Sequence, residues 1–96
     1  MRTVHKYAVP VSDDPRLLRA ERVVHVGPSE PGETDIRVWA EVELDSTGEA
    51  VSPLRAFRIY GTGHSIPPGA VHVGTVPVGW FVWHLYDVTN APEAHR

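Results

Sequence analysis

Hydrophobic and polar positions alternate most regularly over residues 35–44. Ile36, Val38, Ala40, Val42 and Leu44 fall on one face, and Arg37, Trp39, Glu41 and Glu43 on the other. That two-residue period is the mark of a half-buried strand. Residues 79–87, GWFVWHLYD, behave differently. Phe81, Trp83 and Leu85 share one side and Trp80, Val82, His84 and Tyr86 the other, so neither face is plainly polar. The stretch predicts a strand that is either central between two layers or set with one face against a partner. Its β-branched and aromatic content and short length argue against a helix.

The remaining pattern fills in around these two. Residues 2–9 predict a first strand, with Val4 and Ala8 alternating against His5, Tyr7 and Val9; Pro10 closes it and SDDP is turn chemistry. Residues 15–22 admit either a short helical turn capped by Asp13 or Asp14 or a second strand. The reading adopted is irregular structure followed by a strand over 22–26. GPSEPGET (27–34) and DSTGEAVS (45–52) are loops, and residues 54–60 return as a strand. A hairpin centred near Gly48 and Glu49 would set Ala40 against Phe57 and Val38 against Ile59. On its outer face it would set Trp39 opposite Arg58 with Glu41 diagonal, a cation–π contact plus an ion pair.

YGTGHSIPPGA (60–70) is a tightly constrained loop, and 71–76 resumes as a strand. Pro77-Val78-Gly79 reads as a three-residue hairpin loop. That register pairs Val73 with Trp83 and Val71 with Leu85, and it puts His72 directly opposite His84. VTNAPEAHR (88–96) reads as a frayed tail. The sum is an all-β fold of about six mainly antiparallel strands, a small sandwich or partly open barrel, with residues 1–96 as a single β domain.

Ninety-six residues suffice for one core, and the absence of cysteine removes disulfides and thiolate metal sites from consideration. With a net charge of −3 and nine scattered basic residues there is no basic stripe, so no nucleic-acid partner is expected. No apolar run approaches the roughly 18 residues of a membrane span. No membrane partner is therefore expected, and the expected location is cytoplasmic.

Three groups of residues carry candidate chemistry. His64, His72 and His84 could ligate Zn²⁺ or another divalent ion, against the simpler reading of neutral histidines hydrogen-bonded among Trp80 and Tyr86. The expectation is no cofactor, with the metal as the alternative. Gly61, Thr62, Gly63, His64 and Ser65 have the inventory of an anion-binding nest, or of a nucleophile beside a base. They match neither the P-loop nor the nucleophile-elbow pattern, and no catalytic residue is assigned. Trp39, Arg58, Trp80 and Tyr86 form a candidate interface, most simply between copies of the chain.

GTGHSIP (61–67), VHVGTV (71–76) and FVWHL (81–85), with VWA (38–40), FRIYGTG (57–63) and a weaker KYAVPV (6–11), give a further lead. Together they resemble a group of small bacteriophage and actinobacterial proteins with no assigned activity and the pattern GTGHPIP…YIGTV…FVWHLF. Ser65 stands where that pattern has Pro, and Trp80 follows the hairpin glycine. The resemblance implies an accessory role, such as binding a host protein or capturing a small signalling molecule. The expected function is thus a non-enzymatic protein-binding or oligomeric module, whose partner is itself or a host or phage protein. The alternative is a binder of a small molecule or nucleotide signal, or a metal-assisted hydrolase, using the 61–70 loop and its histidines.

Overall fold

In the computed structural model, which describes residues 1–91, the alternation over residues 35–44 becomes a nine-residue strand with Ile36, Val38, Ala40 and Val42 buried. Seven strands follow one another: β1 (Arg2–Pro10), β2 (Arg16–Arg19), β3 (Arg22–Pro28), β4 (Asp35–Glu43), β5 (Leu54–Gly61), β6 (Val71–Val78) and β7 (Phe81–Asp87). They form two antiparallel sheets, β1-β4-β3 and β2-β5-β7-β6. Among the described residues the fold is all-β, without a helix and without barrel closure. No helix among the described residues is long and apolar enough to cross a membrane.

The core lies between the sheets. Val9, Ile36, Val38 and Ala40 from one meet Leu18, Phe57, Ile59, Val76 and Leu85 from the other. This corrects the expected hairpin between residues 35–44 and 54–60. Both edges of β4 are taken, by β1 and by β3, and β5 lies in the opposite sheet. The apolar faces of β4 and β5 do match, but they meet across the sandwich. The chain makes only a short reversal after β4, in which Asp45 Oδ1 accepts from Thr47 N and Glu49 N. Ser52 Oγ then accepts from Glu43 N at 2.8 Å, and the chain crosses to the second sheet.

Two other expectations are revised, and the inward face of β1, left open by the sequence, is now seen. Residues 16–19 are a strand, because Leu18 reaches the core while β2 pairs with β5. In β1 it is Val9 and Tyr7 that turn inward, the Tyr7 hydroxyl donating to Arg19 O of the other sheet at 2.8 Å. The β6–β7 turn is the two-residue Gly79-Trp80, joining the pair Val78↔Phe81, with Gly79 at φ 59°. Glycine at the first turn position suits the twist of a two-residue hairpin. Pro77 stays within β6, which tolerates it as an edge strand.

The register shifts once more inside β6, between His72↔Tyr86 and Gly74↔Leu85, leaving Val73 as a bulge. Gly74 then faces the other sheet at its closest approach. A Cβ there would lie 2.8 Å from Val26 Cγ2 and 3.0 Å from Val26 Cβ.

The segment after β7 is not frayed where it is described. Val88 and Ala91 are fully buried and pack with Ala56 and Tyr60; residues 92–96 of the expected tail lie outside the described residues. Asp87 anchors the turn. Its Oδ1 accepts from the Thr89 hydroxyl at 2.6 Å and Thr89 N at 3.0 Å, and its Oδ2 accepts from Arg55 Nε at 2.7 Å. Burial pushes this carboxyl up, but the Thr89 donors and the Arg55 guanidinium outweigh it and hold the group below its ordinary value.

Two outcomes are expected. Gly74→Ala should cost about 1–3 kcal/mol in chemical denaturation through overpacking, with part of the loss recovered in the Val26→Ala/Gly74→Ala double variant. Because the Asp87 value is lowered on folding, its stabilisation is present above the unfolded-state value near about 3.9 and is lost as pH falls through the lower folded-state value. Asp87→Asn should therefore be less stable than the native chain by about 1–3 kcal/mol at neutral pH. That gap should narrow below about pH 4.

Candidate functional site

The bulge at Val73 decides which side chains share the outer face of the four-stranded sheet. In an unbroken strand, residues three apart point to opposite faces. With Val73 left over, His72 and Thr75 both point outward, opposite Tyr86 and His84 respectively. On the other side of β7, Arg58 lies opposite Tyr86 and Tyr60 opposite His84. The face therefore carries two cross-strand rows, Arg58–Tyr86–His72 and Tyr60–His84–Thr75.

A hydrogen-bonded chain runs through these rows. His72 Nε2 lies 2.9 Å from Thr75 Oγ1, Thr75 Oγ1 lies 2.9 Å from His84 Nδ1, and His84 Nε2 lies 3.0 Å from Thr62 Oγ1. The expected direct pairing of His72 with His84 is thus corrected: one threonine hydroxyl joins them. Aromatic rings frame the chain. Tyr86 meets His72 edge-on at 5.3 Å and Tyr60 at 5.6 Å, and the Arg58 guanidinium lies 4.8 Å from the Tyr60 ring.

His64 has a different task. Its Nδ1 accepts from Gly61 N at 3.1 Å, and its own backbone N–H donates to Gly61 O at 3.1 Å. This double contact closes GTGH into a tight turn, with Gly63 at φ 91°. With Nδ1 occupied as an acceptor, the neutral ring carries its proton on Nε2. The other end of the loop is held at Gly69, where a Cβ would collide with Asn90 O. Between these anchors, residues 64–68 line an open cleft of about 540 Å³ together with Arg58 and Tyr60.

The sequence candidates thus divide. Thr62, His72 and His84 are brought into one network, while His64 and Ser65 border the neighbouring cleft. The three histidines do not converge, and among the described residues no group of three His, Cys, Asp or Glu is arranged to hold a metal ion. The proposed interface residues do not form one surface. Trp39 sits on the outer face of the three-stranded sheet against His25, at 5.1 Å between rings. Arg58 and Tyr86 lie on the outer face of the other sheet, so the expected Trp39–Arg58 contact is absent; Glu41 pairs instead with Arg22 at 2.7 Å. Trp80 is 99% exposed at the hairpin tip, beside Phe81 and Trp83 stacked at 5.5 Å.

Thr75 and Tyr60 were not singled out from the sequence. Thr75 is visible as a partner of His72 only once the bulge is known. Tyr60 reads as the last residue of an ordinary strand.

The family described as a domain of unknown function, DUF7352, matches residues 1–96, from before β1 to beyond β7. The chain belongs to DUF7352. No curated protein and no solved structure matches it. The DUF7352 match spans the bulge, the 61–70 loop and the outer-face rows alike.

Replacing the shared hydroxyl tests the network directly. Thr75→Val should leave the fold intact, at a cost of about 0.5–1.5 kcal/mol. It should also change the ring ¹⁵N shifts of both His72 and His84; a change confined to His84 would show that the two imidazoles are not linked.

Proposed function

We propose that this DUF7352 domain is a non-enzymatic binding module that engages its ligand with the Gly-rich 61–70 loop and the outer face of β5, β7 and β6. One observation carries this reading: Thr62, Thr75, His72 and His84 form a pre-organised hydrogen-bonded chain on an open sheet face, beside a cleft bordered by His64. Binding suits this arrangement better than catalysis. Among the described residues neither imidazole of this network has a carboxylate to hold it as a base, and the hydroxyls at hand are already engaged with the rings. An accessory role in a phage or actinobacterial setting is the context that the sequence resemblance suggests.

A second reading is favoured by the hairpin tip. Trp80 is almost wholly exposed next to the exposed Phe81, a cluster suited to docking on a protein or on another copy of the chain. Native mass spectrometry of the protein isolated from expressing cells separates the two. The first reading expects a monomer carrying a small-molecule adduct that His84→Ala loses. An adduct-free oligomer that Trp80→Ser dissociates would replace it with the second.

A further inference from the structure

Two residues in the wall of the cleft bordered by residues 64–68, Arg58 and Tyr60, each carry a donor that no described residue uses. Arg58 Nε and Tyr60 OH are both closed to solvent and without a hydrogen-bond partner among the described residues, and Tyr60 is only 3% exposed. Native folds seldom leave such groups unpaired, because each forgoes its bond to water and gains nothing in return. Two of them in one cleft wall call for an acceptor.

The other polar groups of the cleft have the same character. Arginine can only donate, and the His64 ring, having committed Nδ1 to Gly61 N, offers Nε2–H. The Ser65 hydroxyl is exposed at the rim. A donor-rich edge of this kind complements an oxyanion. The nearest acid, Asp13, does not fill the place: its Oδ1 is 3.8 Å from an Arg58 terminal nitrogen, beyond hydrogen-bond length, and its side chain is 99% exposed. The Nε edge of the guanidinium, the edge that takes a carboxylate or phosphate in a two-point fork, has no partner among the described residues. Opposite it, Ile66, Pro67 and Pro68 form an apolar wall.

We infer that this cleft binds the carboxylate or phosphate head of a small organic anion. Arg58 and Tyr60 are the donors, the apolar body of the ligand lies along residues 66–68, and the Asp13 carboxylate, 3.8 Å from an Arg58 terminal nitrogen, opposes the incoming head by its like charge. Because Nε and the hydroxyl are closed to solvent, the 64–68 stretch, which belongs to no strand, has to shift to admit the head. The inference deepens the binding-module reading and rests on it.

The test is an ¹H–¹⁵N titration of the full chain with sodium benzoate and, separately, inorganic phosphate, with benzyl alcohol as the uncharged control. Shifts at residues 58–60 and 64–68 are expected with benzoate or phosphate and not with the alcohol; which of the two binds distinguishes a carboxylate from a phosphate head. Arg58→Gln should weaken binding about tenfold or more. Asp13→Asn should tighten it about two- to five-fold. Tyr60→Phe should weaken binding without lowering the melting temperature of the free protein, since the hydroxyl has no partner to lose. Equal affinity in Arg58→Gln, or a response to the alcohol equal to that to benzoate, overturns the inference. Shifts confined to Thr62, Thr75 and His84 and indifferent to Arg58 also overturn it while leaving the binding-module reading in place. Absence of any shift with either anion overturns the anion cleft alone, and the adduct measured by native mass spectrometry decides the broader reading separately.

Discussion

Between the pairs His72↔Tyr86 and Gly74↔Leu85, the β6 backbone takes two steps while β7 takes one, and Val73 is the residue left over. The two-residue turn at Gly79-Trp80 fixes the register of the hairpin tip, and in that register alone His72 would point into the sandwich. The bulge restores it to the outer face, two residues before Gly74, which the hairpin register already turns towards Val26 and where only a hydrogen fits comfortably. The contact between the sheets on one side and the imidazole network on the other therefore meet within two residues of one strand. This coupling explains how a small β domain keeps a polar constellation in fixed geometry. Bulges sharpen strand twist and re-aim side chains, and here the backbone is also pinned by the sheet packed against it.

The loop beside the network is restrained in a comparable way. His64 ties its start to Gly61. Its far end approaches the 88–91 segment, which is itself fastened through Asp87, Thr89 and Arg55. Tyr60 lies under both, packed with Ala56, Val88 and Ala91. The cleft wall thus belongs to a second small apolar cluster outside the main core, made from the outer face of β5 and the chain's return after β7. The Tyr60 hydroxyl has no hydrogen-bond partner among the described residues.

Much of this architecture was legible in the sequence, because local patterns report local structure. The alternation in β4, the β-forming residues of β7 and the glycine- and proline-rich loop all predicted the elements that are found, although the outer face of β7 is open and not covered by a second layer. Pairing was less legible. The apolar sets of β4 and β5 match whether the strands lie side by side or face each other across a core, and periodicity cannot separate those cases. At the β6–β7 turn, Pro77 invited a turn that Gly79 and Trp80 make instead; an edge strand accommodates proline without losing a ladder bond. The site was legible in part for the same reason. His72, His84 and Thr62 stood out by residue type, whereas Thr75 became relevant through a one-residue shift that has no sequence signature, and the Tyr60 hydroxyl through the absence of a partner.

The hydroxyl shared by His72 and His84 has one proton to give, and a neutral imidazole donates from one nitrogen while accepting at the other. When the Thr75 hydroxyl gives that proton to one of the two rings, the chain from Thr62 to His72 is threaded in one of two senses. Either the Thr62 hydroxyl donates into His84 and every later bond points towards His72, or His72 donates into Thr75 and every bond points back. The two differ in proton positions and ring tautomers and share every heavy-atom coordinate. A group that binds Thr62 and insists on being a donor or an acceptor would choose between them, and the opposite terminus at His72 would register the choice. The sheet face has a polarity that can be reversed without moving its frame.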